Sequence, residues 1–108
     1  MANTFKLKTK ANVGVTTSNV YAVPSATTTV VIGVTLANTS GSSINVGVGI
    51  TRASTDDVSL MKNVPIPQGS SFEFMSGNKV VLEATDTFIA ESDVNNSLDV
   101  ALTIMEIT

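Results

Sequence analysis

The segment that decides the fold runs from residue 27 to residue 50 and reads TTTVVIGVTLANTSGSSINVGVGI. Its first half alternates with the two-residue period of a β-strand, and one face of that strand would carry Val30, Ile32, Val34 and Leu36. The second half repeats the alternation at Ile44, Val46, Val48 and Ile50. Between them lies a polar stretch, residues 38–43, whose Asn, Gly and Ser residues are typical of a turn. The segment therefore predicts two strands joined as a β-hairpin.

Shorter alternating stretches lie on both sides of this segment. Strands are predicted around Phe5–Lys10, Val13–Val23, Val58–Val64, Phe72–Phe74, Val80–Leu82, Phe88–Ala90 and Leu98–Ile104. The stretch Pro65-Ile66-Pro67-Gln68-Gly69 is expected to stop one of them, and Ser76-Gly77-Asn78 to turn the chain between two others. No segment keeps a helical period. We predict an all-β chain of about eight or nine strands, folded as an antiparallel β-sandwich with jelly-roll-like topology.

Composition supports this assignment and sets the domain organisation. Val, Ile and Thr make up 37 of the 108 residues, while Leu contributes only 6, and this balance favours strands over helices. A chain of this length forms one domain. We therefore expect a single domain over residues 1–108, with residues 1–17 forming either an N-terminal arm or an edge strand.

The missing residue types exclude several function classes. The sequence contains no His and no Cys, the side chains that most often provide a general base near neutral pH or a transition-metal site. We therefore expect no enzymatic activity, no cofactor and no disulfide. No stretch is apolar enough for a membrane span. An acidic chain with six cationic residues and one Tyr is poorly suited to nucleic acids, and we expect neither nucleic acid nor membrane as a partner.

A few polar constellations suggest chemistry, but each has a simpler explanation. Asp93, Asn95, Asn96 and Asp99 could offer oxygen ligands to a hard cation, although an Asx-rich turn explains them better. The same holds for Asp56-Asp57. Glu73 and Glu83 could form a carboxylate pair for glycoside hydrolysis only if the fold brought them together. Gly47-x-Gly49 lacks the following helix of a phosphate loop and indicates a close backbone approach.

Charge is divided unevenly along the chain. Residues 1–55 carry a net charge of +4 and residues 56–108 a net charge of −7, including all nine acidic residues. The two halves could form complementary patches that orient subunits. The simpler explanation, which we favour, is that strands from both halves interleave. Lys6, Lys8 and Lys10 could meet an anionic surface, but lysines on an exposed edge strand more often prevent unwanted strand pairing.

The chain carries more apolar surface than one sandwich core requires. The strand from Val30 to Ala37 is apolar or small on both faces, and near the C-terminus Met105 and Ile107 lie opposite Leu102 and Ile104. Either a closed barrel or self-association would cover this surface, and we favour self-association. The candidate interface residues are Lys6, Lys8, Lys10, Val31, Met105 and Ile107.

The sequence around the turns resembles that of small β-sandwich virion structural proteins of tailed bacteriophages. The resemblance rests on residues 20–24 (VYAVP), 34–38 (VTLAN), 60–71 (LMKNVPIPQGSS), 77–83 (GNKVVLE), Asp86 and the closing strand 99–106. It covers about residues 18–108, and residues 1–17 match least well. The similarity concerns the arrangement of strands and turns, and it implies no catalytic residues.

The resemblance implies a non-enzymatic structural protein located in the virion and assembled in the host cytoplasm. It points to a capsid decoration or cement protein that contacts the major capsid protein or tail proteins. A homo-oligomer is expected, with a trimer preferred. The alternatives are a tail, neck or baseplate subunit, or a host- or carbohydrate-binding module, although the shortage of Trp and Tyr argues against the last.

Overall fold

The computed structural model describes residues 3–52, 56–74 and 79–108. Within them the chain forms nine β-strands: β1 (Asn3–Val13), β2 (Ser18–Ala22), β3 (Thr28–Asn38), β4 (Ile44–Thr51), β5 (Val58–Ile66), β6 (Ser71–Phe74), β7 (Val80–Leu82), β8 (Thr87–Ser92) and β9 (Leu98–Ile107). This part of the chain includes no helix long and apolar enough to cross a membrane. The all-β prediction is confirmed.

The strands form two antiparallel sheets. One has the order β1-β9-β3-β6, with β7 also paired to β3, and the other has the order β2-β8-β4-β5. β6 pairs with Val34–Ala37 and β7 with Thr29–Val31, both antiparallel to β3, so they occupy successive parts of one edge. Counted as one interrupted strand, they give the two four-stranded sheets of a jelly roll. The β-sandwich prediction is therefore confirmed.

The predicted hairpin between β3 and β4 is wrong. β3 lies in the five-stranded sheet and β4 in the four-stranded sheet, so residues 39–43 carry the chain from one sheet to the other. The Asn38 side chain organises this crossing: its amide nitrogen donates to the backbone carbonyls of Ser42 and Ile66, and its Oδ1 accepts from Ser40. A turn sequence thus marks a change of direction without fixing which strands pair.

Two further breaks in the chain were expected from the sequence. The turn expected at Ser76-Gly77-Asn78 lies outside the described residues, but the strands before and after it both pair with β3 and do not form a hairpin. The stretch Pro65-Ile66-Pro67-Gln68-Gly69 does stop its strand, since β5 ends at Ile66, and Pro65 itself is still part of the strand. β5 lies at the edge of its sheet, where a residue without an N–H group leaves no ladder bond unmade.

The core lies between the two sheets. It is built mainly from the inward faces of β3, β4, β8 and β9, with Leu82 added from β7. Its largest fully buried side chains include Leu36, Ile44, Leu82, Phe88, Leu98, Leu102 and Ile104. In β4 the predicted apolar face is confirmed, since Ile44, Val46, Val48 and Ile50 are all buried. Gly49 shows why a small residue is needed here: a Cβ atom would lie 2.5 Å from the carbonyl oxygen of Val58.

The strict alternation predicted for β3 breaks at a bulge. The pairing of β3 with β9 shifts between Val31 and Gly33. Val31, Val34 and Leu36 therefore point into the core, whereas the sequence pattern placed Val31 opposite Val34 and Leu36. One extra residue in a strand exchanges the two faces for everything beyond it.

The unequal charges of the two halves of the chain meet in the folded molecule. Arg52 from the first half forms ion pairs with Glu83 at 3.0 Å and Asp86 at 3.3 Å from the second half. Lys6 is likewise paired with Glu106 at 2.8 Å. These contacts agree with the interleaving explanation.

Candidate interaction surface

The outer face of the five-stranded sheet is defined by the alternation of β9. Val100, Leu102 and Ile104 are buried in the core, so the intervening side chains from Ala101 to Ile107 point away from it. Residues paired directly across neighbouring strands share a face of the sheet. The register of β9 with β1 and β3 therefore identifies every residue on this outer face.

One end of the outer face carries an apolar row that crosses four strands. Phe5 pairs with Met105, Met105 pairs with Val30, and Val30 pairs with Val81. Phe5 is 70% exposed and Val81 58% exposed, values far above those of core side chains. Leu7, 64% exposed, lies on the same face two residues further along β1. We call this set the apolar row.

The other end of the outer face is a shallow depression. It has a volume of about 220 Å³ and is lined by Thr9, Lys10, Ala11, Ala37, Asp99, Val100 and Ala101. We call it the alanine depression. The surface is recessed here because small side chains occupy β1, β9 and β3, whereas large side chains occupy the same strands in the apolar row.

The lysines of β1 point to the side opposite the apolar row. Lys6 pairs with Ile104, Lys8 with Leu102 and Lys10 with Val100, all on the core side of the sheet. Because β1 is the edge strand, these lysines lie at the rim of the sandwich instead of inside it. They do not form an outward basic stripe, and charged side chains that point inward on an edge strand hinder edge-to-edge pairing.

A polar cluster closes this rim. The Tyr21 hydroxyl donates to Glu106 at 2.5 Å and lies 2.9 Å from the Thr29 hydroxyl, while the Lys6 ammonium contacts the other carboxylate oxygen of Glu106. The hydrogen bond from Lys6 holds the pKa of Glu106 below its ordinary value. Burial, aided by the bond to Glu106, raises the pKa of Tyr21 to about 12. The Lys8 ammonium lies 5.7 Å from the centre of the Tyr21 ring, within cation–π range.

The candidate interface residues from the sequence are thus divided among three places. Met105 and Ile107 lie on the outer face, and the three lysines lie along the rim. Val31 is fully buried and does not reach any surface, because the bulge in β3 turns it inward. Its neighbour Val30 is the residue that faces outward.

Sequence reasoning missed Phe5, Leu7, Val30 and Val81 as surface residues. The signal was present in the alternation of Phe5 and Leu7 with lysines, which marks an amphipathic strand. That pattern normally places the apolar side inward, and here it is reversed. The reversal follows from the register with β9, which a single sequence does not encode locally.

The side chains considered as cation ligands instead accept hydrogen bonds from backbone N–H groups in different segments of the chain. Asp93 Oδ1 accepts from the Asn45 N–H, Asn95 Oδ1 from the Val15 N–H, and Asp99 Oδ1 from the Asn12 N–H. Asn96 has a φ of 54°, a turn conformation that Asn tolerates. Residues 3–52, 56–74 and 79–108 contain no group of three or more acidic side chains arranged to hold a metal ion.

The other acidic residues considered from the sequence are exposed to solvent or form an ion pair. Asp56 and Asp57 are both exposed. Glu83 is paired with Arg52, and Glu73 lies on the exposed part of β6. A separate polar cavity of about 500 Å³ lies on the other side of the molecule and is lined by Val15, Asn45, Gly47, Lys62, Asn63, Glu91 and Asp93.

Comparison with known proteins identifies the fold. No protein-family model matches the sequence, and no curated protein matches it. Among solved structures, a chain from Bacillus endospore appendages, a family of disulfide-linked pili, has a TM-score of 0.59 and 12% identity over 99% of this chain and 87% of that chain. A chain from the acid-stable capsid of Helicobacter pylori bacteriophage KHP30 has a TM-score of 0.58 and 16% identity over 100% of this chain and 94% of that chain. At these identities the likeness is one of fold.

Proposed function

We propose that this protein is a non-enzymatic structural subunit of a bacteriophage virion, acting as a capsid decoration or cement protein. The observation that carries the proposal is the apolar row, which leaves large side chains such as Phe5 and Leu7 more than half exposed on a flat sheet face. Contiguous apolar surface of this kind marks sites of protein–protein contact. A subunit of a particle uses such faces for repeated contacts.

The comparisons support this assignment at the level of architecture. The chain matches nearly the whole length of a chain from a phage capsid, and another similar chain also comes from an assembly, a pilus. Jelly rolls are frequent among viral capsid domains. The proposed location is the virion, with assembly in the host cytoplasm, and the proposed partners are further copies of this chain and the major capsid protein.

A tail, neck or baseplate subunit is the alternative within the same class. Immunoelectron microscopy of purified particles, with antiserum raised against the recombinant protein, separates the two. Label distributed over the head supports the decoration role, and label confined to the tail or neck supports the alternative. Particles that carry no label and no peptide of this chain by mass spectrometry would contradict both.

A host- or carbohydrate-binding module remains a second candidate because of the polar cavity beside Lys62 and Glu91. Its side chains offer both hydrogen-bond donors and acceptors, which sugars require. Binding of the purified protein to a glycan array, abolished by Lys62→Ala but retained by Lys79→Ala, would favour this function. An array without signal argues for the structural role.

A further inference from the structure

The outer face of the five-stranded sheet is shaped to receive a second copy of itself. Successive rows across the sheet can be followed from the register. The row Phe5–Met105–Val30–Val81 is followed by Leu7–Thr103–Gly33 and then by Thr9–Ala101–Thr35, which ends at Glu73 in β6. On β1, β9 and β3, large side chains therefore occupy one side of the Leu7–Thr103–Gly33 row, and small ones occupy the other.

This arrangement is complementary under a two-fold rotation. If the axis runs along the Leu7–Thr103–Gly33 row, two sheets packed face to face have antiparallel strands. Each strand then faces its own copy, with Phe5 above Thr9 of the second copy and Met105 above Ala101. Large side chains meet small ones in both directions, as a self-complementary interface requires. The row on the axis faces itself.

The alanine depression has room for the aromatic ring that would enter it. A cavity of about 150 Å³ is enough to hold benzene, and the depression measures about 220 Å³. Phe5 is 70% exposed, so its ring is free to move into this space. Entry would bury an aromatic side chain in a pocket, the feature that contributes most to the free energy of binding at protein interfaces.

The area available is sufficient for a stable contact. Four strands spaced by about 4.8 Å and about nine residues long give a face of roughly 600 Å² on each copy, or about 1,200 Å² in total. Stable interfaces begin at about this total. The molecule measures 45 × 25 × 21 Å, so this contact would use one of its broad sides.

The acidic residues of the outer face lie on one side of the proposed axis. Glu73 pairs with Thr35 and Asp99 with Ala37, so both lie towards the end of the alanine depression. The two-fold rotation places the carboxylates of the second copy on the other side of the axis, so that Glu73 faces Val81 and Asp99 faces Ile107. Like charges, which repel each other, are therefore kept apart.

We propose that two copies of this chain pack through the outer faces of their five-stranded sheets about a two-fold axis along Leu7–Thr103–Gly33, with each Phe5 ring in the alanine depression of the other copy. The inference deepens the proposed structural role, on which it rests, by naming the surface where copies meet. It replaces the trimer expected from the sequence with a pair.

Sedimentation velocity over a concentration series tests the pair. The wild-type protein should reach twice its chain mass of 11.2 kDa. Leu7→Glu, which puts two carboxylates at the axis, should be monomeric with an unchanged circular dichroism spectrum and melting temperature. Val15→Glu is the matched control, because Val15 is 54% exposed but lies by the polar cavity, and it should remain a dimer.

Cross-linking tests the geometry. The chain has no cysteine, so single substitutions report one position each. Facing sheets lie about 10 Å apart, and Thr103→Cys should be joined to its copy by a short bismaleimide, whereas Val58→Cys should not. A monomer at all concentrations, a trimer, or efficient cross-linking only at Val58 would overturn the proposal. Because particle labelling is measured separately, a failed dimer leaves the virion assignment intact.

Discussion

The hydroxyl group of Tyr21 in β2 donates a 2.5 Å hydrogen bond to the carboxylate of Glu106 in β9, and this bond joins the two sheets at the rim below β1. Lys6 completes the contact from the edge strand. With Thr29 in β3, which lies 2.9 Å from the Tyr21 hydroxyl, the cluster unites four strands. It therefore couples the protonation of two groups to the closure of the sandwich.

The first prediction concerns acid stability. The pKa of Glu106 is lowered by folding, so its contribution to stability is present above its ordinary value of 4.5 and is lost as the pH falls through the folded pKa. Glu106→Gln should reduce the free energy of unfolding by about 1 kcal/mol at neutral pH, a modest figure because Lys6 is partly exposed to solvent. Urea unfolding at neutral pH and at about pH 3 measures this effect. The difference from wild type should shrink in acid, whereas Glu73→Gln, which removes an exposed carboxylate, should change stability at neutral pH by less than about 0.5 kcal/mol.

The second prediction concerns the alkaline limit. Tyr21 is the only tyrosine, so the ultraviolet absorbance of tyrosinate reports it alone. Folding raises its pKa from 10.0 to about 12, so the stability it contributes is complete below 10 and is lost as the pH rises towards 12. The absorbance should titrate near 12 in the folded protein and near 10 in urea. A folded protein whose tyrosine titrates near 10 would show that the Tyr21 hydroxyl is neither buried nor bonded to Glu106 in solution.

The third prediction concerns the close contact between β4 and β5. A methyl group at Gly49 would lie 2.5 Å from the Val58 carbonyl oxygen. This oxygen is part of the backbone, so rotation of a side chain cannot relieve the contact. Gly49→Ala should lower the free energy of unfolding by about 2 kcal/mol in a urea titration, since two paired strands would have to separate. Gly41→Ala has no atom within 4 Å of the new methyl group and should change stability by less than about 0.5 kcal/mol. Equal effects would contradict the register of these strands.

The fourth prediction separates two adjacent valines. Val31 is fully buried, and Val31→Ala should cost about 2 kcal/mol of folding stability through lost burial and a cavity. Val30→Ala should cost less than half as much, because Val30 faces outward. Instead it should weaken self-association. A larger loss of stability at Val30 would place the bulge elsewhere in β3.

The fifth prediction concerns the Asx-rich turn between β8 and β9. Asp99→Ala removes the acceptor for the Asn12 N–H and should reduce stability by about 1 kcal/mol. Calcium and a chelator should both leave the melting temperature unchanged, because the oxygens of Asp93, Asn95 and Asp99 are directed to separate backbone segments. A calcium-dependent rise in melting temperature would restore the cation-site hypothesis.

Local sequence patterns predicted the strands well and their partners poorly. The alternation at Ile44–Ile50 and Leu98–Ile104 identified core faces, because burial and a two-residue period are properties of a single strand. The hairpin from β3 to β4 was wrong because the same turn chemistry serves a chain that stays in one sheet and one that crosses to the other. Pairing is a long-range property, and the Asn38 side chain that anchors the crossing bonds to Ile66, far along the chain.

Only part of the candidate interaction surface could be predicted from the sequence. Met105 and Ile107 were identified because they lie opposite a clear core face. Val31 was misplaced because a bulge between Val31 and Gly33 moves the phase of β3 by one residue. Gly33 was the one local signal of this bulge, since a glycine inside a strand often marks one. The apolar row appears only when β1, β9, β3 and β7 are aligned, since its members are scattered from position 5 to position 105.

One edge strand of each sheet, β1 in the five-stranded sheet and β5 in the four-stranded sheet, has a consequence for concentrated solutions. β1 carries inward-pointing lysines along its open side, and β5 contains Pro65, which cannot donate to an added strand. Addition of further strands to either sheet is therefore hindered at these two edges. Even when many copies are concentrated together, we expect this protein to resist fibril formation along them.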